Sequence, residues 1–498
     1  MVVDCWYWKQ TRYWLLIASL FVALAANATQ PNVLLILTDD QGYEDIAAFG
    51  NKQLRTPTLD ALARGGVRLT HFYAQPTCGP SRAALMTGNN PARIGMDFDP
   101  LPGSKQGLPS ETSTLGEMFR ANGYRTGFFG KWHLGDRREH LPLAHGFDRY
   151  FGVPYSSDMW PFHHNMPIAE GSLPDERLLA AKQRVDKTGA AHQGMTFTDP
   201  TIFPPLPLIE NNTVLETNPD QRFLTERFTN QAIKFIEAGD QPFFAMVAYT
   251  SPHVPLFAHP DFSGHSKRGL YGDVLEEIDA RLGELLAMLK RDNKLQDTIV
   301  IFLSDNGPWL EYGADAGSAS PLKGGKATTW EGGWRVPAIF NWPGHLQPAT
   351  IDSVMSMMDV LPTLAELSDI KPPGLFPLDG KSRWSELRGK TSNADGEFLY
   401  FADFSGAGAT STLGKQLQAF RKGDWKLHLY THRSRWLGWW YGYEIRPVAL
   451  YNLKLDPAET TDRQADNAEV LEEMSELAAV RLNSLCAELP LWVSNTCD

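Results

Sequence analysis

The sequence predicts an α/β protein with a large mixed, mostly parallel sheet and a small C-terminal α+β domain that carries an antiparallel sheet. Apolar runs without polar alternation are typical of strands covered on both faces. Amphipathic helical segments lie between these runs, as the crossovers of parallel strands require. Short strand-like pieces then replace this pattern from about residue 380 onward.

Four apolar runs are the predicted strands of the large sheet, at residues 32–37, 126–130, 242–249 and 298–303. Helical patterns alternate with them, at residues 58–66, 114–123, 221–238 and 272–291. In such a sheet the ligand binds outside the carboxyl ends of the strands.

The remaining segments differ in character. Residues 154–218 are rich in Pro, Gly, His and Asp and are interpreted as a long surface excursion near the site. The C-terminal part contains strand-like pieces and a terminal helix, at residues 397–401, 418–421, 425–430 and 467–485. We therefore expect a signal segment over residues 1–28, a large domain over 29–379 and an α+β subdomain over 380–498.

The composition is that of a globular protein, with 498 residues of which 43% are hydrophobic and 21% are charged. The formal net charge of −12 argues against nucleic-acid binding, which a basic field favours. Because an acidic surface does not attract anions at long range, any anion binding requires a local cluster of cations.

The start of the chain is typical of an export signal. Lys9 and Arg12 precede an apolar run over residues 13–26, and Ala26-Asn27-Ala28 offers a small-x-small cleavage site. The run is shorter than the roughly 20 apolar residues of a membrane helix. We predict an exported protein without a stable membrane span; an uncleaved N-terminal anchor is the alternative.

Four cysteines have to be accounted for. Cys5 lies in the signal segment, and Cys486 and Cys497 can form a disulfide in an oxidising compartment. This leaves Cys78 unpaired. An unpaired cysteine is commonly an inert buried thiol. Whether Cys78 is inert or reactive must therefore be judged from the residues next to it.

Polar side chains follow two of the predicted strands. Asp39 and Asp40 end the first, and Asp305 and Asn306 end the strand near residue 300. Helix capping is sufficient to explain one such pair of polar residues. Two pairs at the same edge of the sheet would instead come close together and form a common site. Carboxylate and amide oxygens suit a hard cation such as calcium or magnesium.

The segment around Cys78 predicts a helix that begins close to this residue. Pro80 suits the first turn, and Gly88 suits the C-terminal end. The helix dipole then favours an anion at Cys78. Arg82 lies four positions further on, on the same face. A nucleophile, a helix N-terminus and a guanidinium would therefore point at one spot.

Three further segments offer cations and titratable groups. Lys131 and His133 follow a predicted strand, and an extended chain would place both on one face. His253 lies between two prolines after another strand. A glycine-rich segment contains Lys323 and Lys326. Such a segment alone is weak evidence for a functional site.

Taken together, these residues resemble the sulfatase family, specifically its arylsulfatase A-like branch. The signature is Cys78-Gly79-Pro80-Ser81-Arg82 with Leu85 and Thr87-Gly88, and the resemblance extends from about Pro31 to Pro362. It implies an alkaline-phosphatase-like sandwich in which residues 29–379 form the catalytic domain. It also implies oxidation of Cys78 to formylglycine by a maturation enzyme, and a bound calcium ion.

Roles carried over by the resemblance are assigned position by position. The metal ligands would be Asp39, Asp40, Asp305, Asn306 and the residue made from Cys78. The catalytic residues would be Cys78, Arg82, Lys131, His133, His253 and Lys326. The substrate would be bound by Ser156, Lys131, His253 and Lys326. Lys323 occupies a neighbouring position without a catalytic role, and Asn89 departs from the Arg that the family commonly has there.

The resemblance implies a sulfuric ester hydrolase that releases inorganic sulfate from a sulfated carbohydrate or aryl sulfate. A phosphate or phosphonate monoesterase of the same superfamily is the first alternative, and a non-catalytic sulfated-glycan-binding protein is the second. Aromatic side chains able to stack on sugar rings are Trp160, His163, His164, Trp309, Trp334 and the run from Trp436 to Tyr443, although such clusters are more often packing.

Overall fold

The computed structural model describes residues 30–159, 205–372, 374, 377–392, 396–403, 415–436 and 439–487. The predicted signal segment, Cys497 and most of the predicted surface excursion lie outside these residues. No helix in the described ranges is long and apolar enough to cross a membrane.

The large sheet contains eleven strands within the described part of the chain. Its bounds are β1 Asn32–Thr38, β2 Val67–Tyr73, β3 Arg125–Lys131, β4 Arg149–Val153, β5 Pro207–Glu210, β6 Thr213–Thr217, β7 Phe243–Ala248, β8 Thr298–Ser304, β9 Arg335–Asn341, β10 Ala349–Ile351 and β11 Met355–Ser356. The order is β10-β2-β9-β8-β1-β7-β3-β4-β5-β6, with β11 paired to β2.

The centre of this sheet is parallel. β8, β1, β7, β3 and β4 all run in one direction, and β9 lies antiparallel between β8 and β2. The carboxyl ends of the parallel strands therefore share one edge, and the segment that enters β9 arrives at the same edge. This topology determines which loops can form a common site.

Helices cover both faces of the sheet. They are α1 Pro57–Gly65, α2 Cys78–Thr87, α3 Leu115–Ala121, α4 Leu224–Glu237, α5 Gly269–Arg291, α6 Glu331–Trp334, α7 Val360–Leu367, α8 Trp384–Leu387 and α9 Ala468–Ala487. Along β1, Val33, Leu35 and Leu37 belong to one buried core, whereas Leu34 and Ile36 belong to the other. Side-chain alternation in the strand thus feeds two cores, one on each face.

A second sheet lies in the C-terminal part. It is antiparallel, in the order β12 Glu397–Asp403, β13 Lys415–Lys422, β14 Trp425–Trp436 and β15 Trp439–Asn452. Met474, Ala478 and Leu482 of α9 pack against Leu427 and Leu450 of this sheet. The predicted fold class, a mostly parallel large sheet with a smaller antiparallel one, is confirmed; the domain boundaries stay a prediction.

Several details differ from the sequence-based expectation. The edge strands β5 and β6 form a hairpin inside the predicted surface excursion. The strands β2 and β9 extend the large sheet beyond the four predicted runs. Cys486 is disulfide-bonded, whereas its predicted partner Cys497 lies outside the described residues.

Candidate active site

The predicted metal ligands converge at the carboxyl edge of the large sheet. Asp39 and Asp40 follow β1, while Asp305 and Asn306 follow the adjacent strand β8. The Asp40 backbone N–H donates to Asp305 Oδ1 over 3.2 Å, and Asn306 Nδ2 donates to Asp40 Oδ1 over 2.6 Å. All four side chains are buried, with at most 3% of each residue exposed.

Cys78 is the first residue of helix α2 and points into this cluster. Its Sγ lies 3.3 Å from Asp39 Oδ1 and 3.9 Å from Asp40 Oδ1. The helix ends where predicted, because Gly88 adopts the left-handed conformation with a φ of 70°. The thiol occupies the position that an oxidised side chain at residue 78 would have.

Arg82, one turn along α2, joins this helix to Asp305 at the end of β8. Its Nε and Nη2 donate to Asp305 Oδ2 over 3.0 and 2.8 Å, and Nη1 donates to the carbonyl of Lys131. Only 1% of Arg82 is exposed. The planar guanidinium therefore fixes α2 relative to both β8 and β3.

Two lysines place ammonium groups beside the carboxylates. Lys131 Nζ lies 2.6 Å from Asp39 Oδ2 and 3.1 Å from Ser156 Oγ. Lys326 Nζ lies 2.7 Å from Asp40 Oδ1 and 3.4 Å from Cys78 Sγ. The local cation cluster that the acidic chain needs for anion binding is thus present.

His133 and His253 complete the site from two other strands. The expected extended arrangement of Lys131 and His133 is wrong, because β3 ends at Lys131 and His133 adopts a φ of 59°. A His133 ring nitrogen nevertheless lies within 4.8 Å of Cys78 Sγ, and neither ring nitrogen hydrogen-bonds to a described residue. His253, after β7, places Nε2 3.5 Å from Asp40 Oδ2.

Burial and neighbouring charges set the protonation states. Burial opposes the charged form of Asp39, but Lys131, His253 and Arg82 outweigh it and lower the pKa of this carboxyl. Burial and the nearby Asp39 raise the pKa of the Cys78 thiol well above its usual value. Burial, reinforced by Lys131 and Arg82, lowers the pKa of His133 far below 6.5, so its imidazole is neutral.

The donor set fits a hard divalent cation. Asp39, Asp40 and Asp305 supply carboxylate oxygens, and Asn306 supplies an amide oxygen. Asn306 Oδ1 is buried and accepts no hydrogen bond from the described residues. A buried amide oxygen of this kind next to three carboxylates suits a hard divalent cation such as calcium.

Asp99 lies at the site but was not anticipated from the sequence. Its Oδ1 accepts a 2.6 Å hydrogen bond from the backbone N–H of Gly79, and a carboxylate oxygen of Asp99 lies within 4.8 Å of Cys78 Sγ and a His133 ring nitrogen. The signal was present only as two nearby aspartates, Asp97 and Asp99, the second of which lies 20 positions after Gly79. Its place beside Cys78 depends on a loop whose path the sequence does not define.

The predicted stacking aromatics separate into different environments. Trp309 packs its ring edge-on to His253, with centroids 5.5 Å apart, and lies 4.6 Å from Lys326 Nζ. Trp334 is completely buried, which agrees with the packing alternative and excludes stacking on a sugar at this residue. Trp160, His163 and His164 lie outside the described residues.

Comparison with known proteins agrees with this site. Residues 31–370 match the sequence model of the Sulfatase family. Arylsulfatase A of Bos taurus is 38% identical over 428 residues, which cover 84% of this chain and 79% of the bovine protein. The chain therefore belongs to the sulfatase family and is a sulfuric ester hydrolase of the arylsulfatase A-like kind.

Solved structures show the same architecture. The PsFucS1 sulfatase from Pseudoalteromonas sp. superposes with a TM-score of 0.75 at 25% identity, covering 95% of this chain and 94% of that one. The structure of Ps i-CgsB in complex with k-i-k-neocarrahexaose superposes with a TM-score of 0.70 at 28% identity, covering 94% of each chain. The predicted alkaline-phosphatase-like sandwich is thereby confirmed.

Proposed function

We propose that this sulfatase uses formylglycine made from Cys78, together with calcium, to release sulfate from a sulfated carbohydrate or aryl sulfate. One observation carries the proposal: Cys78 Sγ, at the N-terminus of α2, lies 3.3 Å from Asp39 Oδ1 and 3.4 Å from Lys326 Nζ. Residue 78 is thus adjacent both to the oxygen-rich cation site and to an ammonium group that can bind an anion.

Residues of the candidate site would hold the calcium ion, and residue 78 itself would carry the formylglycine aldehyde. Asp39, Asp40, Asp305 and Asn306 would hold calcium, in contact with residue 78. When bound, calcium would neutralise sulfate oxygens, and the hydrated aldehyde of formylglycine would supply an oxygen nucleophile with its own route of breakdown.

The cations of the site would bind the sulfate group. The carboxylates of Asp39, Asp40 and Asp305 are balanced by Arg82, Lys131 and Lys326, which pair with them. A divalent ion added to these six side chains would give the set two positive charges. An anionic ester can therefore enter a site whose surrounding protein surface is acidic.

Proton transfer falls to the two histidines and Lys326. Burial opposes the charged form of Lys326, but Asp40 and Cys78 outweigh it and raise its pKa well above the usual value. The ammonium therefore stays protonated and can stabilise the leaving oxygen as a hydrogen-bond donor. We assign protonation of the leaving alcohol to His253 Nε2, assisted by Lys326 Nζ. His133, neutral and within 4.8 Å of residue 78, would accept a proton from that residue.

The substrate class follows from the surroundings of these groups. Trp309, beside His253 and Lys326, offers an aromatic face at the position where a leaving group would lie. The carrahexaose seen in one related structure supports a saccharide, and the arylsulfatase relative supports an aryl sulfate. We propose an exported protein, in agreement with the disulfide at Cys486.

Cys78→Ala tests the proposed chemistry. We expect the variant, produced together with a formylglycine-generating enzyme, to fold but to lose at least about 1,000-fold in turnover of nitrophenyl sulfate, since no nucleophile remains. Intact mass of the wild type should show conversion of the Cys78 thiol to an aldehyde. Full activity of a preparation with an unconverted thiol would contradict the proposal.

Nitrophenyl phosphate and nitrophenyl phosphonate serve as matched substrates in the same assay. We expect the sulfate to be the preferred one. Preference for phosphate or phosphonate would instead support the monoesterase alternative, with residue 78 still as nucleophile.

A further inference from the structure

Lys326 reaches the site from a segment with little regular structure, which we call the lysine loop and define as residues 323–334. On the side of the large sheet, the Lys326 N–H donates to Pro308 O and the Ala327 N–H donates to Pro76 O, each over 2.9 Å. Ala327 adopts a φ of 59°, a conformation that costs a non-glycine residue about 1 kcal/mol. The surrounding structure must therefore hold the loop in place.

The other side of the lysine loop rests on a buried group of charges from the C-terminal part, which we call the junction cluster: Glu331, Lys426 and Glu459. None of these side chains has any exposed surface. Lys426 Nζ, on β14, lies 3.0 Å from Glu331 Oε1 and 3.0 Å from Glu459 Oε1. The same ammonium donates to the carbonyl of Thr329 in the lysine loop over 2.8 Å.

Glu459 accepts two further hydrogen bonds from the lysine loop. Its Oε2 accepts a 2.7 Å hydrogen bond from the backbone N–H of Glu331, and its backbone carbonyl accepts one of 3.3 Å from Lys323 Nζ. His428 Nε2 lies 2.7 Å from Glu459 Oε1 and fixes the remaining side of the carboxylate. Both ends of the loop are thereby attached to one residue of the C-terminal part.

The cluster is also tied to the rim of the large sheet. Tyr73, at the end of β2, donates to Glu331 Oε2 over 2.6 Å, and Tyr400 of β12 donates to Glu331 Oε1 over 2.5 Å. Burial opposes ionisation of Glu331, but Lys426, Arg421 and Arg335 outweigh it and lower the pKa of this carboxyl. Buried ion pairs contribute little net stability because of their desolvation, so a role in defining geometry accounts better for this arrangement.

We propose that Glu459 and Lys426 are positioning residues for the reaction: they hold the lysine loop so that Lys326 Nζ faces Cys78 and Asp40. The C-terminal sheet would then be part of the catalytic apparatus, although it supplies none of the predicted catalytic side chains. This inference rests on the proposed function, in which Lys326 binds the sulfate and assists the leaving group.

A double-mutant cycle between Glu459 and Lys326 tests the inference. We expect Glu459→Gln to lower kcat about 10-fold in the wild-type background but less than about 2-fold in the Lys326→Ala background, because the loop then has nothing left to position. The readout is kcat and KM for nitrophenyl sulfate, at equal conversion of residue 78 by intact mass. Equal losses in both backgrounds would overturn the inference.

Two controls separate positioning from general destabilisation. Asp279→Asn changes another buried carboxylate, which accepts the backbone N–H groups of Thr58 and Leu59. This variant should lower the midpoint of thermal unfolding without coupling to Lys326.

Gln418→Ala removes the 3.0 Å contact with Thr329 Oγ1 and leaves the charges intact, so it repeats the test if Glu459→Gln does not fold. Additive behaviour of Gln418→Ala would equally contradict the inference.

Failure of the cycle is distinguishable from failure of the proposed function. If Lys326→Ala alone leaves kcat and KM unchanged, the assignment of Lys326 to the reaction is wrong. If Lys326→Ala lowers kcat but the Glu459 effect is additive, only the positioning role is wrong.

Discussion

At the scale of single residues, Arg82 shows why side-chain shape matters in this site. Its guanidinium contacts Asp305 through two nitrogens and the Lys131 carbonyl through the third. A lysine has one donor nitrogen on a flexible stem and cannot make these contacts together.

Arg82→Lys should therefore lose activity while keeping the charge of the site. We expect kcat/KM for nitrophenyl sulfate to fall about 100-fold, because Asp305 and α2 lose their common support. Arg93→Lys is the matched control, since Arg93 makes a similar two-nitrogen contact with Asp379. Turnover close to wild type in Arg82→Lys would show that charge alone suffices.

The residues of the site were largely predictable, whereas their supports were not. Short motifs with a recognisable combination of residue types contain Asp39, Cys78 and Lys326, and these residue types indicate metal binding, nucleophilic attack and anion binding. No motif contains Asp99 or Glu459. In the sequence, a carboxylate that accepts backbone N–H groups cannot be distinguished from an exposed acidic residue. Their importance depends on loop paths and on contacts between distant segments.

At the scale of elements, predictability followed the burial pattern. The strands β1, β7 and β8 are buried along nearly their whole length and were visible as apolar runs. The strand β9 is equally buried but follows directly on the one-turn helix α6 and contains Pro337. Its antiparallel insertion between β8 and β2 is a property of topology that local patterns do not encode.

Helix α5 contains a carboxyl group that couples stability to pH. Glu277 has no exposed surface and accepts a 3.0 Å hydrogen bond from the His259 N–H. Burial raises the pKa of Glu277 from 4.5 to about 7, with Glu226 and Glu284 adding to the shift and His259 and Arg281 opposing it. The folded protein therefore keeps a proton there that the unfolded chain has already lost.

The sign of the effect follows from this difference in proton binding. The contribution of Glu277 to the free energy of unfolding is fully present below pH 4.5 and is lost as the pH rises to about 7, a change of about 3 kcal/mol. Glu277→Gln removes it, so the variant should gain stability relative to wild type between pH 5 and 8. Denaturant unfolding across this range measures the difference.

Glu472→Gln, on the exposed face of α9, provides the comparison for this experiment. The difference in unfolding free energy between this variant and the wild type should stay constant with pH. A similarly constant difference for Glu277→Gln would show that the Glu277 carboxyl is ionised in the folded state throughout.

At the scale of the whole molecule, both sheets contact segments that form the candidate site. The large sheet supplies the four predicted protein ligands of the cation and Lys131 from the ends of β1, β8 and β3. The second sheet contacts the loop that delivers Lys326. Lys131 pairs with Asp39 and Lys326 pairs with Asp40, so a cation held by these carboxylates would lie next to both ammonium groups.

Calcium held by Asp39, Asp40, Asp305 and Asn306 should stabilise the folded protein. A ligand that binds the folded state alone raises the free energy of unfolding by about 2.7 kcal/mol at 100 times its Kd. We expect the midpoint of thermal unfolding of chelator-treated protein to rise with calcium concentration. Asn306→Ala should abolish the rise, because the buried amide oxygen is lost without a change in charge.

Asn341→Ala, which removes a buried amide that donates to Leu62 O away from the site, should keep the calcium-dependent rise. Magnesium provides the second comparison, since its demand for octahedral geometry with several waters fits a buried set of three carboxylates and an amide less well. A midpoint that does not change with calcium in the wild type would contradict calcium binding at Asp39, Asp40, Asp305 and Asn306. A rise that persists in Asn306→Ala would place the ion elsewhere, and the two positive charges assigned to the sulfate pocket would then have to come from another source.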